Sequence, residues 1–368
     1  MDKYNVECGD TNYTIIKYGD LTKHEDRLKW LQIREINDTA IGGSDMGVIM
    51  GVNPYASKPQ LFDQKLGLTP SPDLSNNWSV YFGVMYEESV RNFAQYYDFE
   101  NPEKTIENTY KKEKQRKIFD FNYTIWNDQY PWLVANPDGV CFDKDCQWDT
   151  INPLIENFNQ LPQTIKAIVE CKTISGQQHN MWQNGIPYGY ILQCLHYCTV
   201  FTPLNENIYA EIYSQVDLKK IEGAKVYLDV ELIEQIITES YHFHKLLEHG
   251  KDIIKNATNE EQMKMGLDEI RPEVDDTDGC AKHYNKNYLE KIDPSNRMVA
   301  DEKFVDMVEE YSGYKEDIKP IDKKLKLVQN KIRQYMQKEN VRIVELPDDK
   351  GKVSFNRRLY VTYRNGKK

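Results

Sequence analysis

The chain has 368 residues, seven cysteines and a formal net charge of −11, with a mean hydropathy of −0.72. Since no apolar run approaches the roughly 18 residues of a membrane span, we expect neither a transmembrane helix nor a secretory signal. The acidic balance argues against a protein that coats nucleic acid non-specifically, and the scattered cysteines favour reduced thiols in a cytoplasmic setting.

The first predicted elements are a helix over 24–36 and a short apolar helix that follows a pair of glycines. Ser44 or Asp45 is placed to cap this second helix. A helix start after flexible glycines offers free N–H groups to an anion, and Arg34 on the first helix could add a bidentate clamp. The alternative is an ordinary cap and a surface arginine. A further helix is predicted over 58–66.

Residues 78–97 have a helical period. Tyr86, Val90 and Phe93 form its apolar stripe, and Glu87 lies on the flank of that stripe. Glu87 is therefore either a solvated carboxylate or a group that faces a site.

The segments around Asp138 and Glu170 carry the chemistry. Glu170 and Lys172 are two apart on an apolar predicted strand over 164–173, so they share one face while Cys171 points away. Buried charge there is costly, and a divalent cation held by Glu170 and Asp138 would compensate. Oxygen ligands suit Mg²⁺ or Mn²⁺, which activates water, and Lys172 would orient that water or stabilise developing negative charge. The alternatives are an exposed ion pair and a plain hairpin turn.

An insert of about 30 residues separates the two acids. It predicts a longer hairpin or a loop, and it leaves Asp143 and Asp145 as alternatives to Asp138. The tight Asn-Pro-Asp-Gly turn, with Gly139 following the acid, favours Asp138.

A helix over 187–201 begins at Pro187. Gln193 lies opposite its apolar stripe, which leaves either an exposed glutamine or a site residue. His196 is better explained by packing than by metal binding.

The remaining elements complete the predicted organisation. Further strands are expected near 122–126, 132–136 and 206–214. They are followed by a helix over 226–249, a polar linker over 251–299, a helix over 300–338 and a β-hairpin over 341–364. Basic runs at 110–117 and 350–368 could contact nucleic acid.

Four of these segments, in this order, resemble the PD-(D/E)xK nuclease superfamily and, within it, the YqaJ-like viral recombinase family with the lambda-type phage exonucleases. They are residues 30–57, residues 81–97, the Asp138 turn with the Glu170/Lys172 strand, and residues 187–201. The resemblance covers roughly 25–215. It implies an α/β, restriction-endonuclease-like core at 1–250 with a mixed central β-sheet flanked by helices. The predicted C-terminal helix and hairpin add a helical and β-hairpin extension at 300–368.

The resemblance also implies roles. Asp138 and Glu170 would bind metal, with Lys172, Gln193 and Glu87 assisting catalysis. Arg34 and Ser44 would hold DNA phosphate.

The implied activity is Mg²⁺-dependent (or Mn²⁺-dependent) 5′→3′ digestion of double-stranded DNA ends in phage-type recombination. It would take place in the cytoplasm, or in the host cytosol if the chain is phage-encoded. The implied partners are a single-strand annealing protein and further copies in a ring. Two other functions stay open: an endonuclease of the same fold, restriction or structure-specific, and a non-catalytic DNA-binding or interaction protein with a relic site.

Overall fold

The computed structural model describes residues 3–8, 10–36, 39–70, 77–148, 165–176, 178, 185–346, 351–356 and 358–363, with the backbone alone for 8, 34–36, 351–356 and 358–363. The chain divides into two compact units, Met1–Lys291 and Ile292–Lys368. Most of the insert between Asp138 and Glu170, and the middle of the predicted C-terminal turn, lie outside the described residues.

The strands described in the first unit are β1 (Lys3–Cys8), β2 (Thr11–Lys17), β3 (Ile41–Gly42), β4 (Arg116–Asp120), β5 (Tyr123–Asn127), β6 (Leu133–Val134), β7 (Gly139–Asp143), β8 (Ala167–Ile174), β9 (Tyr209–Val216) and β10 (Lys220–Val226).

The helices described there are α1 (His24–Ile36), α2 (Gly43–Ile49), α3 (Lys58–Lys65), α4 (Trp78–Ala94), α5 (Thr105–Lys111), α6 (Tyr188–Phe201), α7 (Val230–Asn256), α8 (Glu260–Ile270) and α9 (Asp278–Asn287), with 3₁₀ turns at Pro102–Lys104 and Leu289–Lys291.

The central sheet has five strands in the order β10–β9–β8–β7–β4. Only the β8–β9 pair is parallel, and the other neighbours are antiparallel. A parallel pair needs a crossover, and α6 lies in that crossover. The sheet is therefore mixed, as predicted. A three-stranded antiparallel sheet, β1–β2–β5, and a short parallel pair, β3–β6, lie beside it.

Strand β8 is covered on both faces, because its first four residues are all buried. Ile168 belongs to the core cluster that contains Leu192 of α6. Val169 belongs to the opposite cluster, with Val90 of α4. Side chains on β8 alternate between these two faces, so the first half of the strand is buried on both sides.

Three predictions about the elements need correction. The predicted linker over 251–299 is helical in α8 and α9, and its residues up to Lys291 belong to the first unit. The sequence of this segment is polar enough to suggest a linker because each of these helices buries only a narrow face. The apolar stripe of α4 does not include Phe93, which is 47 % exposed.

The third correction concerns the second unit. It contains α10 (Glu302–Lys338), β11 (Ile343–Leu346), β12 (Gly351–Asn356) and β13 (Arg358–Tyr363). The three strands form an antiparallel sheet in sequence order, where a two-stranded hairpin was expected.

Among the helices that the structure describes, none combines the length and apolarity needed to cross a bilayer.

Candidate active site

Asp138 and Glu170 lie opposite each other at one end of the β7–β8 pair. Gly139 pairs with Val169, so in antiparallel register the preceding Asp138 faces Glu170. The Asp138 carboxylate accepts a hydrogen bond of 2.7 Å from the backbone N–H of Cys171. Glu170 is 2 % exposed. The structure thus brings the two acids together.

Lys172 and Gln193 complete a hydrogen-bonded group around Glu170. The Lys172 ammonium forms an ion pair with Glu170 Oε1 and donates to Gln193 Oε1 at 3.3 Å. Gln193 Nε2 donates to the same Glu170 oxygen at 2.8 Å and to the Tyr197 hydroxyl at 3.1 Å. Gln193 is buried rather than exposed, because α6 packs between the sheet and other helices.

Glu87 is held by Arg91, one turn later on α4. Arg91 pairs with the Glu87 carboxylate and donates to the backbone carbonyl of Asp138 at 3.1 Å. It also lies 3.5 Å from Asp120. Arg91 was missed by the sequence analysis, although the i,i+4 spacing of Glu87 and Arg91 is the pattern of a helical ion pair.

Helix α2 approaches α6 through Gly43. A Cβ at this glycine would lie 2.6 Å from the Tyr197 ring and 3.1 Å from Gln193 Cγ, so a larger residue would displace both. Ser44 or Asp45 was predicted to cap α2, but the N-cap is Gly42. Asp45 does stabilise this start, because its carboxylate accepts from the Gly42 N–H at 3.0 Å.

A cleft of about 230 Å³ joins these elements. Its walls include four of the predicted site residues, Ser44, Glu87, Asp138 and Gln193. Arg34 lies near the end of α1, and its side chain is outside the described residues. The cleft therefore connects the carboxylates of α4 and β7 with the start of α2.

The electrostatics of the site are dominated by buried negative charge. Burial, together with the charge of Glu170, raises the pKa of Asp138 to about 7. Burial, together with Asp138, raises the pKa of Glu87 to about 8. Burial also raises the pKa of Glu170, although Lys172 opposes this shift. Burial disfavours the Lys172 ammonium, but Glu170 and Asp138 outweigh it and raise that pKa.

The donor set fits a magnesium ion. Glu170 Oε2 is buried, and no hydrogen-bond partner for it exists among the described residues. Within the same residues, no three His, Cys, Asp or Glu side chains form a metal-binding group. Mg²⁺ needs no such cage, because it commonly takes one or two carboxylates and completes its shell with water and substrate phosphate. Asp138 and Glu170 could hold it.

The two alternatives to Asp138 as a metal ligand, Asp143 and Asp145, are exposed residues. Asp143 pairs with Lys166 and is 63 % exposed in its side chain, and Asp145 is exposed. His196 is fully buried and bonds the Val134 carbonyl at 2.9 Å, which agrees with a packing role.

The basic run at 110–117 is partly used inside the fold. Arg116 lies 3.5 Å from the buried Glu211 carboxylate, and Lys117 donates to the Cys146 carbonyl at 2.6 Å. These two residues are therefore not free surface charges for nucleic acid. The side chains of the basic run at 350–368 lie outside the described residues.

Comparison with known proteins agrees with the resemblance. Residues 29–203 match the model of the YqaJ-like viral recombinase domain, so the predicted resemblance to this family is confirmed over that stretch. The uncharacterized protein YqaJ of Bacillus subtilis (strain 168) is 26% identical over 218 residues, which are 59% of this chain and 55% of that protein. The chain thus spans about half the length of this curated relative.

Two solved structures are also similar, each at 16% identity. The crystal structure of an alkaline exonuclease (LHK-Exo) from Laribacter hongkongensis has a TM-score of 0.41 and covers 61% of this chain and 96% of its own. That of LHK-Exo in complex with dAMP has a TM-score of 0.40 and covers 60% and 93%.

Proposed function

Since residues 29–203 match the YqaJ-like viral recombinase domain, we propose that this chain is a metal-dependent DNA exonuclease that resects double-strand ends in the 5′→3′ direction. The observation that carries the proposal is the buried group of Glu170, Lys172 and Gln193, with Asp138 opposite. Two carboxylates beside an ammonium suit phosphodiester hydrolysis, which needs an activated water and neutralised phosphate charge.

Each residue has a distinct task in this proposal. Asp138 and Glu170 hold a Mg²⁺ or Mn²⁺ ion, which when bound supplies an activated water and neutralises charge on the scissile phosphate. Lys172 orients the attacking water. Gln193 fixes Glu170 and Lys172 relative to each other, because it bonds both.

Glu87 serves as an additional proton acceptor or ligand. Its pKa of about 8 lies close to neutrality, where a carboxyl group can exchange protons efficiently. Arg91 positions this group through its ion pair and ties it to the Asp138 backbone.

The substrate would enter along the cleft. Ser44 is exposed at the start of α2 and lines the cleft, so we assign it to a DNA phosphate together with Arg34. The mixed sheet with helices on both faces is consistent with a restriction-endonuclease-like core. A single-strand annealing protein, a ring of copies and a cytoplasmic location, or the host cytosol for a phage-encoded chain, belong to the same proposal.

Linear and covalently closed circular duplexes of the same sequence test the proposal. With Mg²⁺, the protein should release nucleotides from linear duplex labelled at the 5′ end and leave the closed circle intact. Early loss of 3′ label would reject the polarity. Cutting of the closed circle would favour the alternative, an endonuclease of the same fold.

A second comparison separates catalysis from binding. A non-catalytic protein with a relic site would bind duplex ends and leave them undigested in Mg²⁺ and in Mn²⁺. If a folded wild-type protein binds duplex ends without digesting them, the proposed exonuclease activity is rejected.

A further inference from the structure

Helix α10 carries a continuous exposed apolar seam. Ten apolar or aromatic side chains recur along it at alternating spacings of three and four residues: Phe304, Met307, Tyr311, Tyr314, Ile318, Ile321, Leu325, Val328, Ile332 and Tyr335. Nine of them are between 49 % and 62 % exposed, and Ile332 is half-buried. This is an unbroken a/d heptad pattern over five heptads, with Phe304 at the first position a and Met307 at the first position d, which is the signature of a coiled coil.

The seam needs a partner for physical reasons. Most of the stability of a helix in a protein comes from packing of its apolar face, and Pro320 inside α10 removes one of its hydrogen bonds. Gly313 and Pro320 both fall at position c of the heptad, away from the a/d seam. The two residues that weaken the helix thus leave its apolar face complete.

Charge along α10 changes sign near the middle. Residues 302–317 contain six acids and two lysines, whereas residues 318–338 contain seven bases and one acid. Two parallel copies would place like charges together. Two antiparallel copies would place each acidic half against the basic half of the other copy.

The positions beside the seam show the same complementarity in detail. We consider the antiparallel register that sets Ile318 of one copy opposite Ile321 of the other. Positions g then face g, and positions e face e. Three opposite-charge contacts arise, each of them twice by symmetry: Glu310 with Lys331, Asp317 with Lys324, and Lys315 with Asp322. One like-charged contact arises at the ends, Lys303 with Lys338.

A parallel register gives a poorer result, because g then faces the e position of the next heptad. Glu310 would meet Lys315, which is favourable. Asp317 would meet Asp322, which is repulsive. The flanking charges therefore discriminate between the two orientations.

We propose that α10 is a self-association helix, which forms an antiparallel coiled coil with α10 of a second copy of this chain. The occupant of the seam is another copy rather than an unrelated helix, because the charge pattern of α10 complements its own reverse. The proposal does not rest on the nuclease site, since α10 lies in the second unit and the site has been argued from residues of the first.

Sedimentation of the full-length chain tests self-association. Wild type should self-associate through α10 at micromolar concentration, as a dimer or, where copies also form a ring, as paired rings. Asp317→Lys reverses two symmetry-related contacts and should weaken dimerisation about tenfold. Asp317→Lys combined with Lys324→Glu should restore it, because the contacts are again opposite in sign. Lys323→Glu, whose side chain is at the outward position f, is the matched control and should change dimerisation little.

These measurements can overturn the proposal in two ways. A monomeric wild type would mean that the seam docks within its own chain or on a different protein. Stronger dimerisation of Asp317→Lys would indicate a parallel pair, since that substitution removes the repulsion with Asp322.

Disulfide trapping tests the orientation directly. Chains carrying Phe304→Cys are mixed with chains carrying Tyr335→Cys, oxidised, digested and identified by the mass of their cross-linked peptides, which separates them from the native cysteines. The antiparallel register predicts links between positions 304 and 335 of different copies. Links between two copies of position 304 would contradict it.

Discussion

Asp63 should be one of the most stabilising polar residues of the first unit. Its carboxylate is fully buried and accepts hydrogen bonds from Arg271 Nε at 3.1 Å, His283 Nε2 at 2.8 Å and the Tyr288 hydroxyl at 2.6 Å. It therefore ties α3 to the segment that composition alone suggested to be a linker. Removing one partner of a buried ion pair costs about 3–5 kcal/mol, so we expect Asp63→Ala to lose about that much.

Asp268 provides a matched control, because it pairs with the same Arg271 but is 47 % exposed in its side chain. An exposed ion pair contributes at most about 1 kcal/mol, so Asp268→Ala should be nearly neutral. Urea unfolding gives both free energies. Hydrogen exchange of residues 260–291 shows where protection is lost, and in Asp63→Ala it should be lost there first. Equal, small effects of the two substitutions would refute the reasoning.

Three further predictions concern the site and its surroundings. Lys172→Ala should slow DNA digestion at saturating Mg²⁺ at least about 100-fold, because the water loses its orienting group. Lys166→Ala, at the exposed position just before the same strand, should leave the rate unchanged, and equal rates for both variants would reject the assignment. Gly43→Ala should cost about 1–3 kcal/mol by overpacking and reduce digestion, since its Cβ would lie 2.6 Å from a ring atom. Gly83→Ala, which meets nothing within 4 Å, is its control in both assays. Burial lowers the pKa of His196 to about 4 from its ordinary 6.5, so the unfolded chain binds this proton first as pH falls. Relative to His196→Gln, wild type should lose up to about 3 kcal/mol of unfolding free energy between pH 6.5 and 4 and none above; parallel urea-unfolding profiles would contradict this.

The sequence predicted the elements whose pattern is set locally. The apolar run before Glu170 predicted a buried strand, and Pro187 predicted the start of α6. The two-residue spacing of Glu170 and Lys172 predicted their shared face. In each case the signal lies within one element, so tertiary packing did not need to be known.

What the sequence could not predict depends on contacts between elements. Gln193 lies opposite the apolar stripe of α6, yet it is buried because both faces of this helix are covered. Arg91 acts through the Asp138 backbone, 47 residues later. The polar composition of residues 251–291 hid α8 and α9, because Arg271 and His283 contact the buried Asp63 through polar groups.

Digestion of linear duplex DNA by wild type and Glu170→Gln, in Mg²⁺ and in EDTA, tests the central claim most directly. Glu170→Gln keeps the shape of the side chain and removes its charge. We predict rapid digestion by wild type in Mg²⁺ and none in EDTA. We also predict a loss of at least about 100-fold for the variant with its fold intact. Undiminished digestion by Glu170→Gln would contradict the account.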